Sequence, residues 1–279
     1  MTVSVIIPVY NEEETIEDAL MSLNRQTRKP AEIIVVDDGS EDSSKLKVQS
    51  SKLQLKTQNF IILEQQHKGP GAARNLGAKH AKGDILVFVD ADMTFAPDFL
   101  EKLIKPIEAK ETIGTFTKDE RVSNWDNVWA RCWNWNEGWP PKYRIPKDFP
   151  NEAMVFRAIL RSAFESVGGF DEDCGYTDDW SLSRKLGKRS TAVLDATVYH
   201  TNPDTLSEVW AAARWIGRGE FLRRSIKSLV RFSFPTSLAI GVMKAFRFRE
   251  PWFFVFKIVY DAGIFISVVE SFVWRETAK

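Results

Sequence analysis

The first two hundred residues alternate between short, mostly apolar runs and longer segments with apolar residues at helical spacing. Val3–Val9, Ile33–Val36, Phe60–Leu63 and Ile85–Val89 are continuous and rich in β-branched residues. Runs of this kind predict strands buried on both faces. Between them, Glu12–Gln26 carries Ile16, Ala19, Leu20 and Leu23 on one helical face, after Asn11 as a cap and with acids in its first turn. Ser43–Lys56 and the stretch after Gly69-Pro70-Gly71 are helix-compatible, as are Asp98–Lys110 and Asp178–Leu186. Thr191–Tyr199 reads as a last strand, ended by His200. Strands alternating with helices predict a mostly parallel sheet covered on both faces.

Two regions break this rhythm. Trp125–Pro150 holds five tryptophans and four prolines, so it is neither one helix nor one strand. From Thr205 the chain turns apolar and basic, with 12 Lys and Arg against 6 Asp and Glu. Phe221–Arg231 places Leu222, Ile226, Leu229 and Val230 on one face and Arg223, Arg224, Lys227 and Arg231 on the other, a basic amphipathic helix. Leu238–Phe248 repeats the type. Trp252–Trp274 is mostly apolar but contains Lys257, Asp261 and Glu270. A charge at the centre of a spanning helix costs roughly 2.5–3.5 kcal/mol. Lys257, Asp261, Ser267 and Ser271 also share one arc of the helical wheel. A helix lying on a membrane or packed on the domain is therefore expected, with a single spanning helix as the alternative.

Composition narrows the partners. The 279 residues carry 38 basic and 38 acidic side chains, so nucleic acid is not an expected partner. The two cysteines, Cys132 and Cys174, have no zinc-like spacing and are read as free thiols in a reducing compartment. The N-terminus reads as a strand, with no signal-peptide pattern.

The candidate chemistry is acidic and sits at strand ends. Asp90-Ala91-Asp92 closes the run Ile85–Val89, and two carboxylates so close suit a hard divalent cation, Mn²⁺ or Mg²⁺. Asp37-Asp38-Gly39-Ser40 closes another run; an Asp there accepts from a base or ribose, or forms an Asx turn. Arg74 enters a helix from a Gly-rich turn, a place that suits phosphate, or a surface ion pair. Asp178-Asp179 opens a helix and offers a general base, or a helix-dipole partner. His200 offers a neutral imidazole to a metal.

These blocks, in this order, resemble the inverting glycosyltransferases of family 2 with the GT-A fold. The resemblance covers roughly residues 3–200. It implies an α/β GT-A domain over 1–204 and an amphipathic, membrane-associated helical tail over 205–279. By the resemblance, Pro8, Tyr10, Asn11 and Asp38 would line the nucleoside pocket, and Arg74 would approach the nucleotide. Asp90 would face ribose and metal, Asp92 would ligate the cation on the diphosphate, and His200 would complete that site. Asp179 would be the base, with Asp178 beside it, where the family often has Glu-Asp. Arg214-Trp215 is similar to the pair of processive synthases, but Ala211 stands where those carry Gln, which argues against processive synthesis. Trp125, Trp135, Trp139 and Trp180 are candidates for acceptor binding, or an aromatic mini-core.

The expected reaction moves a sugar from a nucleotide-diphosphate donor, a UDP-sugar favoured, to a hydroxyl on a glycan or lipid-linked sugar. The tail places it at an anionic membrane surface, the inner face of the cell membrane. Two alternatives stand beside this reading: a polyprenyl-phosphate sugar synthase, and a non-catalytic nucleotide-sugar-binding protein held at the membrane.

Overall fold

A computed structural model describes residues 1–54, 59–172, 178–219, 222 and 224–273, with side chains not described at 52–54. Cys174, Phe221, Arg223 and Trp274 lie outside the described residues. The first half runs β1 (Val3–Val9), α1 (Ile16–Asn24), β2 (Glu32–Asp37), α2 (Ser44–Gln54), β3 (Phe60–Glu64), α3 (Pro70–His80), β4 (Ile85–Phe88), β5 (Met93–Phe95), α4 (Phe99–Glu108), β6 (Gly114–Thr117), β7 (Glu120–Val122) and α5 (Val128–Glu137). The second runs β8 (Glu152–Ala153), β9 (Ala158–Leu160), α6 (Arg161–Ser166), α7 (Asp178–Leu186), β10 (Ser190–Val193), β11 (Val198–His200), α8 (Leu206–Gly217), α9 (Ile226–Arg231), α10 (Phe234–Phe248) and α11 (Phe253–Val273).

Eight strands form one sheet in the order β3-β2-β1-β4-β9-β6-β10-β8. β1, β2, β3 and β4 are parallel, as their unbroken apolar runs require, while β9 enters antiparallel between β4 and β6. The order reverses beside β1, and the loops after β1, β2 and β4 share one rim, where open α/β sheets bind ligands. One core lies between the sheet and α1 and α4, the other under α3, α6 and α7. α3 lies unusually close to the sheet, because a Cβ on Gly77 would sit 2.5 Å from Ile6 Cγ2. That approach sets Arg74, one turn earlier, over the rim.

The last strand is not continuous. Residues 190–200 make two strands in two sheets, β10 beside β6 and β11 between β5 and β7. Leu194 is exposed at the break, where the chain leaves one sheet for the other. α1 also starts later than Asn11 predicts. Asn11 adopts φ 56° and its Oδ1 accepts from Glu41 N, so it ties β1 to the turn after β2 and caps no helix.

The tryptophan-rich region contains a helix, α5. Asn127 caps it, accepting from Trp129 N and Ala130 N, and Gly138 ends it in the left-handed region. α5 packs with α8–α11 around a third core that includes Cys132, Trp133, Phe253, Phe256 and Tyr260. Burial pushes the Cys132 thiol up to about 12, which makes it a packing residue. α11 is packed on the protein, with the arc of Lys257, Asp261, Ser267 and Ser271 turned inward and buried. Lys257 Nζ meets Asp261 Oδ1 at 2.8 Å, so the charges that weigh against a spanning helix neutralise each other inside. Among the described residues no helix is long and apolar enough to cross a membrane. Arg214 on α8 pairs with both Glu270 oxygens, at 2.9 and 2.7 Å, and clamps α8 to α11.

Candidate active site

The centre of the rim is Arg74. Its side chain is buried and its guanidinium is shared among three carboxylates. Nη1 donates to Asp178 Oδ2 at 2.9 Å and to Asp179 Oδ1 at 2.7 Å, and Nη2 donates to Asp90 Oδ1 at 2.8 Å. Arg157, just before β9, donates from Nη1 to the other Asp90 oxygen at 2.9 Å. Three loops are thereby tied together: the entry to α3, the end of β4 and the start of α7. In such a setting a lone buried charge is costly and a fully paired cluster is tolerated.

The charges explain the protonation. Three carboxylates face two guanidinium groups, so one proton restores neutrality. Asp178 is the group that takes it: burial raises it to about 7 despite Arg74, and Asp179 adds to the rise. Asp90 resists burial because Arg157 and Arg74 hold it well below the usual carboxylate range. The two guanidiniums are held even more firmly charged than usual: burial opposes that, and Asp179 and Asp178 for Arg74, Asp90 and Glu120 for Arg157, override it.

The acid pair is divided by exposure. The Asp178 side chain is 6% exposed, with its Oδ1 accepting from Asp179 N, whereas that of Asp179 is 31% exposed. A base must reach a substrate proton, and only Asp179 is open to one.

A second centre lies on the small sheet. β11 ends at His200, opposite Met93 of β5 and beside Val122 of β7. This register brings Asp92, Glu120 and His200 together. His200 Nε2 lies 2.9 Å from Asp92 Oδ2, and Nδ1 lies 2.8 Å from Glu120 Oε1. Burial and Arg144 oppose a charge on the imidazole, but Asp92 and Glu120 raise it above its ordinary value. Glu120 is buried too, yet the His200 hydrogen bond and Arg144 hold it down at about 2. Arg144 in turn lies over the Trp139 ring, 5.0 Å from its centroid.

These residues fit a divalent cation. Asp92 Oδ1 is buried with no hydrogen-bond partner, an oxygen left for something else to satisfy. His200 faces the same carboxylate through Nε2, with Glu120 fixing the ring from behind, the usual arrangement of a metal-bound imidazole. Glu12 adds a third acid, raised to about 8 by burial and by the Asp92 charge. Among the described residues no three such side chains are spaced to hold a cation unaided, so further ligands would come from elsewhere. Asp90 is the less available of the Asp-x-Asp pair, since both its oxygens are held by guanidinium groups. The chain turns at Ala91-Asp92, and the two carboxylates serve different centres.

The remaining expected residues cluster at the end of β1 and β2. Pro8 pairs with Val36, and Asp38 N donates to Val9 O. Asp37 makes the Asx turn, accepting from Ser40 N, with Gly39 at φ 80°. Asp38 is buried and shapes the 65–69 loop. Oδ1 accepts from Gln65 Nε2 and Lys68 N, and Oδ2 accepts from Gly69 N beside His67. Tyr10 stacks on His67 with centroids 4.0 Å apart and stays 42% exposed, so an aromatic shelf flanks this loop.

The tryptophans of the 125–139 stretch gather at the aromatic core: Trp133 lies in it, and Trp129, Trp135 and Trp139 pack against it. Trp135 is stacked on Phe248 at 4.9 Å and meets Trp125 edge-on at 5.9 Å. Trp133 is buried against Tyr260 and Phe256. Trp180 follows Asp179 and is half-buried. Sequence reasoning missed Arg157, Glu120 and Glu12. Arg157 carried a signal, the one cation inside the apolar run Ala153–Leu160. Glu120 carried none, and Glu12 passed for a first-turn acid.

Comparisons with known proteins agree with this architecture. Residues 4–168 match the model of "Glycosyl transferase family 2". An uncharacterized glycosyltransferase of Bacillus subtilis, YwdF, is 34% identical over 192 residues, covering 67% of this chain and 69% of that protein. A dolichol-phosphate mannosyltransferase of Pyrococcus furiosus is 39% identical over 137 residues, 45% of this chain and 36% of that one. Other curated relatives are longer: the matches span 29, 20 and 20% of three of them. Among solved structures, the Pyrobaculum calidifontis mannosyltransferase PcManGT, in complex with GDP-Man and Mn²⁺, superposes with a TM-score of 0.63 at 20% identity, covering 98% of this chain and 87% of that one. S. aureus TarS 1-349 in complex with UDP gives 0.56 at 19% identity, covering 99 and 92%. At such identities the two structures speak to the fold, which is of their type. With the family model matching more than half of its length, the chain belongs to glycosyl transferase family 2.

Proposed function

We propose that this chain transfers a sugar from a nucleoside diphosphate donor to an acceptor hydroxyl, with inversion at the anomeric carbon. The observation that carries this reading is the division of the acid pair, with Asp179 open and Asp178 closed on one arginine. In the reaction, Asp179 takes the acceptor proton as the acceptor oxygen bonds to the anomeric carbon. The bond from that carbon to the diphosphate breaks in the same displacement. One attack inverts the centre and needs no sugar–enzyme bond. Arg74 holds Asp179 in place through its 2.7 Å hydrogen bond.

Asp92 and His200 would hold a divalent cation, Mn²⁺ or Mg²⁺, with Glu120 orienting the imidazole and Asp90 buttressing the turn. Bound there, the cation supplies charge neutralisation to the leaving diphosphate. Tyr10, Pro8, Asn11 and Asp38 form the nucleoside side, where Asp38 acts by fixing the backbone of Lys68 and Gly69. A UDP-sugar is the favoured donor; the TarS and PcManGT complexes hold UDP and GDP-Man, and both bases belong in a donor panel. The acceptor is a glycan or lipid-linked sugar at the inner face of the cell membrane, approached past Trp180 and the half-buried Trp125, Trp135 and Trp139. Family membership favours a transferase over a non-catalytic binding protein.

The likeness to a dolichol-phosphate mannosyltransferase favours a second reading, in which the acceptor is a polyprenyl phosphate. A phosphate is already ionised near neutral pH and needs no base. Transfer assays of Asp179→Asn against both acceptor classes separate the two. Loss with hydroxyl acceptors supports the first reading; full activity on a polyprenyl phosphate supports the second. Donor binding is tested first by thermal shift with UDP- and GDP-sugars, with and without Mn²⁺.

A further inference from the structure

α9 and α10 carry large apolar side chains on their outer faces as well as against the core they share with α11. α10 turns Ser237 and Gly241 inward, Gly241 against Lys257 and Phe254 of α11. Its outer face carries Phe234, Leu238, Val242, Met243 and Phe246 at helical spacing, with Phe246 81% and Phe234 64% exposed. α9 continues the patch: Leu229 packs inward, while Ile226 and Val230 stay outside, 71 and 65% exposed. The far end of α11 adds Val269, Phe272 and Val273. An amphipathic helix packed on a globular protein leaves a polar face outside, and an apolar outer patch of this extent marks an interaction surface.

The charges around the patch name the partner. Residues 224–249 contain six Lys and Arg and no Asp or Glu. Lys244 is used internally, donating to Trp135 O and Asn136 O at the end of α5. Lys227, Arg231, Arg247 and Arg249 are exposed beside the phenylalanines. A two-fold dimer through this face would bring like charges together. A surface with an apolar interior and an anionic plane satisfies both components.

We infer that the outer face of α9 and α10 is a docking surface for an anionic lipid bilayer, with the phenylalanines seated among the acyl chains and the four cations at the phosphate plane. This deepens the proposed function, because it supplies the surface by which the chain would meet a membrane acceptor. It does not depend on that reading, since docking needs no turnover.

The test is sedimentation of the full chain with vesicles of phosphatidylcholine containing roughly one third phosphatidylglycerol, against phosphatidylcholine alone. Binding to the mixed vesicles is expected, about tenfold or more tighter than to the neutral ones and weakened by salt. The double variant Phe234→Ser/Phe246→Ser is expected to lose about tenfold or more of that binding. Lys227→Glu/Arg231→Glu, an independent second variant, should lose about fivefold or more per residue. All four positions are exposed, and an unchanged thermal shift with UDP and Mn²⁺ checks that each variant is folded. The inference is overturned if the wild-type chain stays in the supernatant with anionic vesicles, or if both variants bind as the wild type does. It is also overturned if sedimentation velocity shows a dimer that Phe234→Ser/Phe246→Ser dissociates, which would make the face a contact between copies.

Discussion

Arg74 Nη1 donates to Asp179 Oδ1 across 2.7 Å, joining α3 to the first residues of α7. The same nitrogen reaches Asp178, and Nη2 reaches Asp90, so a single side chain fixes the rim. Removing it strands buried carboxylates beside Arg157 alone. Arg74→Ala is expected to lower stability by roughly 3–5 kcal/mol, the usual cost of breaking a buried ion pair from one side. Arg74→Lys keeps the charge but loses the fork and should lie between. Urea unfolding of both variants checks this; a loss below about 1 kcal/mol in Arg74→Ala contradicts the shared role.

The raised groups set a pH dependence. The folded protein keeps the Asp178 proton up to about 7, against an ordinary value of 3.8. Its stabilising contribution is therefore fully present below that ordinary value and is lost as pH rises through about 7. Glu12, raised to about 8, acts in the same direction, as does His200. Asp90 and Glu120 are depressed, so their contribution is complete near neutrality and is lost only in acid. In metal-free buffer the melting temperature is expected to fall between about pH 5.5 and about pH 8.5, and Asp178→Asn to flatten the slope. A profile that rises over this window contradicts the assignment.

Glu120 meets His200 at 2.8 Å from the side opposite Asp92. A carboxylate in that position fixes the ring and raises its basicity. Glu120→Gln is expected to weaken Mn²⁺ binding, measured by calorimetry in the presence of UDP, by about 10–100-fold while the fold is kept. Equal Mn²⁺ affinity in the variant and the wild type would detach Glu120 from the cation.

Asp38 accepts from the backbone of Lys68 and Gly69 and from Gln65, so its charge organises a loop. Asp38→Asn turns one acceptor into a donor facing a backbone N–H. A loss of about 1–3 kcal/mol in stability is expected, with a parallel fall in UDP affinity. If UDP binds unchanged while stability falls, the loop does not line the nucleoside side.

The parts of this site written locally were legible in the sequence. Asp38, Asp90 and Asp92 stand at the ends of buried apolar runs, so their places on a shared rim follow from the alternation, while the place of Asp178-Asp179 beside them is implied only by the resemblance to family 2. What that alternation does not encode is long-range charge pairing. Glu120 finds His200 80 residues away, and Arg157 finds Asp90 67 residues away. Such pairs depend on the register of short strands with almost no hydrophobic pattern, β7 and β11 above all. The same weakness hid the break at Leu194. α5 was hidden by the prolines that follow it, Pro140, Pro141, Pro146 and Pro150, although Asn127 and Gly138 mark both of its ends. The helical layer was legible as helices, but the direction of their faces was not, because periodicity locates an apolar stripe without saying whether protein or something else covers it.

In the proposed reaction Asp179 is the group that takes the acceptor proton. Single-turnover transfer by Asp179→Asn, with donor binding followed by thermal shift in the same samples, tests it most directly. An unchanged shift with UDP-sugar and Mn²⁺ and a fall in the transfer rate of at least about 100-fold are expected. A variant that binds donor and transfers sugar to a hydroxyl acceptor at near wild-type rate would contradict it.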